Sequence, residues 1–217
     1  MGYRNVVTAD MGGTTFDVGL VVDGQPLMQD GTVFEQYELH LPMIDVQSVG
    51  AGGGSIAHPD AMKLLKVGPH SAGSTPGPVC YGRGGKGICV TDADLALGLL
   101  DGDNFLGGEM KLDEKASRRS MKPVMEKLGV DEKGAAEAIF RTVNANMANK
   151  ITERIPRSLK RPAFFATMST LSWYCPGIEE TSRSIFSPGS MSPPPFMKPL
   201  MSAVLQSLMS LPPLPEP

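Results

Sequence analysis

Short apolar stretches separated by glycine-rich turns fill the first half of the chain, and longer segments of helical periodicity follow them. Asn5–Asp10 and Phe16–Val22 are rich in β-branched residues and are expected as strands on either side of a tight Met-Gly-Gly-Thr-Thr turn. Asp23-Gly24 then predicts a hairpin into a strand near Leu27. Val33, Phe34, Tyr37, Leu39 and Leu41 alternate with polar residues, which suits one strand over Thr32–Leu41. Ile44–Val49 is apolar and runs into Gly50-Ala51-Gly52-Gly53-Gly54. Between Gly68 and Gly87 the density of Gly, Pro and Ser predicts a long irregular loop.

Helices come later in the pattern. Thr91-Asp92 is placed to cap one running through Leu100, Asp113 one over Glu114–Leu128, and Asp131 one from Glu132 to about Lys150. The order, strands first and helices after, is that of an α/β or α+β domain with its glycine turns at strand ends. Within Glu114–Leu128, Ala116, Met121, Val124, Met125 and Leu128 form a broad apolar face read as core, with Arg118, Arg119 and Lys122 on the solvated side.

The pattern breaks near Arg154. Of 25 glycines 23 lie at or before that residue, whereas 12 of the 19 prolines follow it, so the chain divides into a core at 1–154 and a Pro/Ser-rich tail at 155–217. A Pro- and Ser-dense segment without apolar periodicity does not offset the entropy of ordering, and the tail is expected to be unstructured or out of frame. One exception is expected at 198–211, where Leu200, Met201, Val204, Leu205, Leu208 and Met209 recur at helical spacing.

Composition narrows the function classes. The 217 residues are 41% hydrophobic and 20% charged, with no apolar run near the roughly 18 residues of a spanning helix, so a globular chain outside the membrane is expected. The start lacks the basic and apolar regions of a secretory signal. A net charge of -3 offers no electrostatic footprint for nucleic acid. Cys80, Cys89 and Cys175 are too few and too widely spaced for a disulfide framework and suit a reducing cytoplasm.

The sharpest chemical motif is Asp10-Met11-Gly12-Gly13-Thr14-Thr15-Phe16-Asp17. A carboxylate ending a strand, two glycines that let backbone N–H groups approach an anion, and two hydroxyls are the parts of a phosphate-binding hairpin, with Asp10 and Asp17 placed to hold Mg²⁺ directly or through water. The plainer reading is a hairpin turn whose Asp and Thr satisfy local backbone donors. No Gly-Lys-Ser/Thr follows and no Gly-x-Gly-x-x-Gly opens a helix, so neither a P-loop nor a Rossmann turn is present. Gly50 to Ser55 reads either as a second anion-binding nest, with Gly52, Gly53, Gly54 and Ser55 facing a ligand, or as a turn that needs close packing.

The string Asp-Met-Gly-Gly-Thr-Thr-Phe-Asp-Val-Gly-Leu-Val resembles the phosphate motif of the actin, Hsp70 and sugar-kinase ATPase fold in the form used by the hydantoinase A and 5-oxoprolinase family, which includes N-methylhydantoinases. Ser48 to Ala57 is similar to that family's glycine loop, and Val67 to Gly82 and Val90 to Leu95 to its next two signatures. Phe105-Leu106-Gly107-Gly108 and Asn144-Ala145-Asn146-Met147-Ala148 agree as well, so the resemblance covers about Val6 to Lys150 and then stops.

The resemblance implies one lobe of an ATPase-like α/β fold and an ATP-dependent hydrolase that opens a cyclic amide such as a hydantoin or 5-oxoproline through a phosphorylated intermediate. It implies ATP and Mg²⁺ as cofactors and a hydantoinase B-type subunit or domain as partner. In that scheme Asp10 and Asp17 are catalytic, Asp10 also holds Mg²⁺, and Gly12, Gly13, Thr14, Thr15, Gly52, Gly53, Gly54 and Ser55 bind the cofactor. Relatives that carboxylate a ketone with ATP are the alternative enzyme. Family members also carry an earlier lobe and a later Phe-Gly-Gly-Ala-Gly-Pro turn that contacts adenosine. The chain is therefore expected to be the middle of a longer protein, either a fragment of that enzyme or an inactive scaffold half that needs a partner chain.

Other side chains have plainer readings. His58, His70, Asp60, Asp92 and Asp94 match no strong metal-ligand spacing. His40 is read as a strand-face residue and Cys80 as a packed thiol. Asn144 and Asn146 are unusual in a helix and are expected to cap it or to bond across to the glycine loops, with a slight preference for a role in the site.

Overall fold

In a computed structural model the structure describes residues 4–155 and 165–170. Its strands are β1 Val6–Met11, β2 Phe16–Val22, β3 Gln25–Pro26, β4 Met28–Gln29, β5 Thr32–Phe34, β6 Tyr37–Leu39, β7 Met43–Ile44, β8 Val46–Val49, β9 Ser55–Pro59, β10 Leu65–Ser71 and β11 Phe165–Thr170. Its α-helices are α1 Val90–Ala96, α2 Glu114–Ser120, α3 Lys122–Leu128 and α4 Glu132–Arg154. The mixed α/β order, strands then helices, is the expected one, except that β11 follows the last helix.

The main sheet has the order β11-β1-β2-β3, with β8 also pairing to β2. β1 runs antiparallel to β2 and parallel to β11. Strand alternation sorts the hairpin into two faces. Val7 opposite Leu20, Ala9 opposite Val18 and Met11 opposite Phe16 point to one side, and all but Met11 are buried. That side is covered by α4, which presents Ile139, Val143, Met147 and Ile151 at intervals of four residues, each at most 4% exposed. Asp10 opposite Asp17 therefore stands on the other face.

The helices differ from expectation in identifiable ways. The predicted Glu114–Leu128 helix is two, α2 and α3, split at Met121. Pro123 in the first turn of α3 has no N–H and its ring clashes with a preceding carbonyl, so the helix restarts there. α1 begins at Val90 and ends at Ala96 where Leu100 was expected, with Gly98 at a φ of +70° two residues on. Asp113 and Asp131 cap as expected, accepting the amides of Ala116 and Gly134 at 2.8 Å each.

Thr32–Leu41, expected as one strand, is a β5–β6 hairpin that reverses at Glu35, whose φ is +56°. Most side chains of this arm are exposed, so its alternation reflects no buried face. β9 and β10 pair antiparallel, and β10 runs into the segment expected to be irregular from Gly68. Of the segment from 155 onward, Ile155 is buried in the core and Phe165–Thr170 pairs with β1. The expected helix at 198–211 and the rest of the tail lie outside the described residues.

Candidate functional site

The β1–β2 turn is a four-residue loop, Gly12 to Thr15, closed by the Gly12 amide donating to the Thr15 carbonyl at 2.8 Å. The amides of Gly13, Thr14 and Thr15 donate to no acceptor among the described residues. Gly13 and Thr14 are exposed, and a Cβ placed on Gly13 would meet nothing within 4 Å. Three consecutive free N–H groups at an open strand end are what an anion needs.

The second glycine loop lies under this turn and is buried from Ala51 to Ser55. Its amides are already used. Gly52 donates to the Thr14 carbonyl at 3.3 Å, Gly53 to the Gly12 carbonyl at 3.0 Å and Gly54 to the Gly13 carbonyl at 2.6 Å. Of the two readings of Gly52, Gly53, Gly54 and Ser55, anion-binding nest or turn that needs close packing, these contacts are those of the close-packed turn. A Cβ on Gly52 would sit 2.6 Å from the Thr14 backbone, closer than any real side chain tolerates, so glycine is required there for the two loops to touch. The Ser55 hydroxyl is buried with no hydrogen-bond partner among the described residues.

Carboxylates and hydroxyls surround the turn. Asp10 is exposed and Asp17 half-buried, and as directly opposite residues on one face their Cβ atoms are about 5 Å apart. No described Lys or Arg forms an ion pair with either. Asp17 accepts a hydrogen bond from the Thr15 hydroxyl at 3.3 Å on Oδ2 and from the Ser48 hydroxyl on Oδ1. The Ser71 hydroxyl lies 3.5 Å from that of Thr14 and accepts the Gly73 amide at 3.1 Å. Ser48 and Ser71 were missed as site residues because both contacts join segments distant in sequence.

The remaining candidates are structural. Asp92 is fully buried and accepts the amides of Val79, Cys80 and Cys89 at 3.2, 2.8 and 2.9 Å, which ties the Gly/Pro-rich loop to α1. Asp60 accepts the amides of Met62 and Leu64, which hold its carboxyl below the usual range. Among the described residues no three His, Cys, Asp or Glu side chains form a metal-binding group. Burial and the nearby Asp92 push the Cys80 thiol up, and they raise the Cys89 thiol to about 12, so both are packed thiols. Asp94 is half-buried as a residue, but its Oδ1 is enclosed without a partner among the described residues, and this desolvation raises its carboxyl to about 7. Asn144 bonds back to the Phe140 carbonyl of its own helix, and Asn146 reaches across to the Val67 carbonyl beside the glycine loops, so neither lines the site.

A sequence model of the family described as Hydantoinase/oxoprolinase matches residues 1–168, which carries the similarity past Lys150 into β11. The caprolactamase subunit alpha of Pseudomonas jessenii is 46% identical over 151 residues, covering 69% of this chain and 22% of that protein. The acetophenone carboxylase gamma subunit of Aromatoleum aromaticum is 42% identical over 160 residues, 71% of this chain and 22% of that one. The crystal structure of the ATP-dependent caprolactamase from P. jessenii superposes with a TM-score of 0.68 at 38% identity, over 84% of this chain and 27% of that one. The chain thus spans about a quarter or less of the length of the relatives it matches. No helix among the described residues is long and apolar enough to cross a membrane.

Proposed function

The chain belongs to the hydantoinase/oxoprolinase family, and from that premise we propose that it supplies the phosphate-handling turn of an ATP-dependent enzyme that opens a cyclic amide, working with a hydantoinase B-type partner subunit. One observation carries the reading: three amides, Gly13 to Thr15, unused among the described residues, lie at an exposed turn flanked by two carboxylates that share one face and have no basic partner among those residues.

The donors fit the groups that the reading requires. Every side-chain ligand at the turn is oxygen, from Asp10, Asp17, Thr14 and Thr15, the donor type a small hard cation such as Mg²⁺ takes. When bound, Mg²⁺ neutralises the charge that builds up on a transferring phosphoryl group. Asp10 and Asp17 would hold it, and the amides of Gly13, Thr14 and Thr15 would orient a phosphate. Gly52 to Gly54 act from below, fixing the turn's carbonyls so that its amides point outward. Because the turn is built before a ligand arrives, little reorganisation accompanies charge development.

The similarity to a carboxylase subunit favours a second reading, in which the same turn serves ATP-dependent carboxylation of a ketone. ATP turnover by the chain with its partner subunit, measured with a hydantoin, 5-oxoproline, or an aryl ketone plus bicarbonate, separates the two. The turn itself is tested by following backbone amide NMR signals while Mg²⁺ and ATP are added to the millimolar range. Gly13, Thr14 and Thr15 are expected to shift more than Gly52, Gly53 and Gly54. A response confined to other residues would reject the assignment.

A further inference from the structure

The register of the main sheet aligns one row of residues across its strands. Asp10 pairs with Asp17 across β1 and β2, and Asp17 pairs with Ser48 across β2 and β8. Directly opposite residues project from the same face, so Ser48 shares the face of the two carboxylates. Its hydroxyl donates to Asp17 Oδ1 while the Thr15 hydroxyl occupies Oδ2, and each oxygen keeps a further lone pair.

We infer that Ser48 is a positioning residue for the cation: it sets the orientation of the Asp17 carboxylate, and so the affinity of the Asp10–Asp17 pair for a divalent ion. The inference rests on the proposed function of the turn. Several features favour Ser48 as the orienting group. The Thr15 contact, at 3.3 Å, is long for a hydroxyl-to-carboxylate hydrogen bond and comes from the turn itself. Ser48 instead sits on a strand fixed to the hairpin at two levels, by the Phe16–Val49 and Asp17–Ser48 pairs of the ladder and, a few residues on, by the Gly52 to Gly54 amides. A donor on such a frame costs little entropy to keep in place. Without it the Asp17 carboxylate, only half-buried, is held by the longer Thr15 contact alone, and the ion must order it further on binding.

Serine at this place does no packing work that would explain it, since it is exposed. A hydroxyl is what the position contributes. Threonine keeps the hydroxyl and valine has nearly the same shape without it, and both suit a strand. The pair therefore isolates the hydrogen bond from the fold.

The test uses the 217-residue chain and Mn²⁺ alone as a paramagnetic probe, read as broadening of the amide NMR signals of Thr15 and Asp17 during titration. Ser48→Val is expected to raise the midpoint Mn²⁺ concentration about tenfold, the size of a lost hydrogen bond to a charged group. Ser48→Thr should titrate near the parent. Asp17→Asn, titrated alongside, should shift the midpoint at least as far as Ser48→Val. If Asp17→Asn weakens binding while Ser48→Val does not, Ser48 has no positioning role and the inference fails alone. If Asp17→Asn leaves the midpoint unchanged, the cation reading of the turn fails first. Equal loss in Ser48→Val and Ser48→Thr would trace the effect to the strand and overturn the role of the hydroxyl.

Discussion

Thr91 donates twice to the carbonyl of Gly53, through its amide at 2.8 Å and its hydroxyl at 2.9 Å. Gly53 in turn donates its amide to Gly12, so the first turn of α1, the buried glycine loop and the exposed hairpin turn form one hydrogen-bonded stack. The position of three amides at the surface is thereby set by a threonine in the core.

Removing the hydroxyl leg tests that stack. Thr91→Val keeps the shape and the amide bond but leaves the Gly53 carbonyl with one donor fewer in a site that is 1% exposed. A loss of about 1 kcal/mol is expected, seen as a lower midpoint in thermal or urea unfolding. An unchanged midpoint would mean that the amide alone holds the loop.

Gly52→Ala acts one layer nearer the surface. The new Cβ falls 2.6 Å from the Thr14 backbone, and backbone cannot swing aside as a side chain can. The two loops must separate, at about 1–3 kcal/mol. The variant should be destabilised and should also lose the response of the Gly13 to Thr15 amides to Mg²⁺ and ATP, although residue 52 touches no ligand in this reading. A full response in a stable variant would show that the cradle is dispensable.

Asp94 supplies a pH dependence with a definite sign. Its carboxyl ionises near 3.8 when unfolded, but burial raises it to about 7 in the fold. The native state therefore holds the proton more tightly, its contribution is complete below about pH 4, and it is lost as pH rises through 7. Asp94→Asn should be more stable than the parent at pH 8, by a few degrees in Tm, about what 1 kcal/mol gives in a domain of this size. At pH 4 the gap should close. A gap that widens toward low pH would contradict the assignment.

Much of this arrangement was legible in the sequence, and the exceptions share a cause. β2 was placed to the residue and the Asp113 and Asp131 caps were identified, because strand composition and capping chemistry are local. The hairpin turn between Asp10 and Asp17 was legible for the same reason. The break at Pro123 was also local, but it was hidden by an apolar face that continues across it. What could not be read was which partner each glycine meets. Glycines that cradle an anion and glycines that admit another backbone look alike in sequence, and only the structure places Gly52 to Gly54 against the Gly12 to Thr14 backbone. The Ser48–Asp17 contact spans 31 residues and the Ser71–Thr14 contact 57, beyond any local signal.

Asp10 separates the structural and chemical roles of the site most cleanly. It is exposed, accepts no hydrogen bond among the described residues, and faces a second carboxylate across the strand pair. Like charges directly opposite on a sheet destabilise it, so without a cation the Asp10–Asp17 pair works against folding. Asp10→Asn removes that repulsion while preserving size and shape. In metal-free buffer the variant should unfold at the same temperature as the parent or slightly higher. In the assembled enzyme the same change should lower ATP turnover by on the order of 10², the scale of losing a charge-stabilising group at the reacting centre. The two readouts move in opposite directions only if the carboxylate is kept for its chemistry. A variant that unfolds earlier yet turns over ATP at the parent rate would make Asp10 a structural residue and remove it from the site.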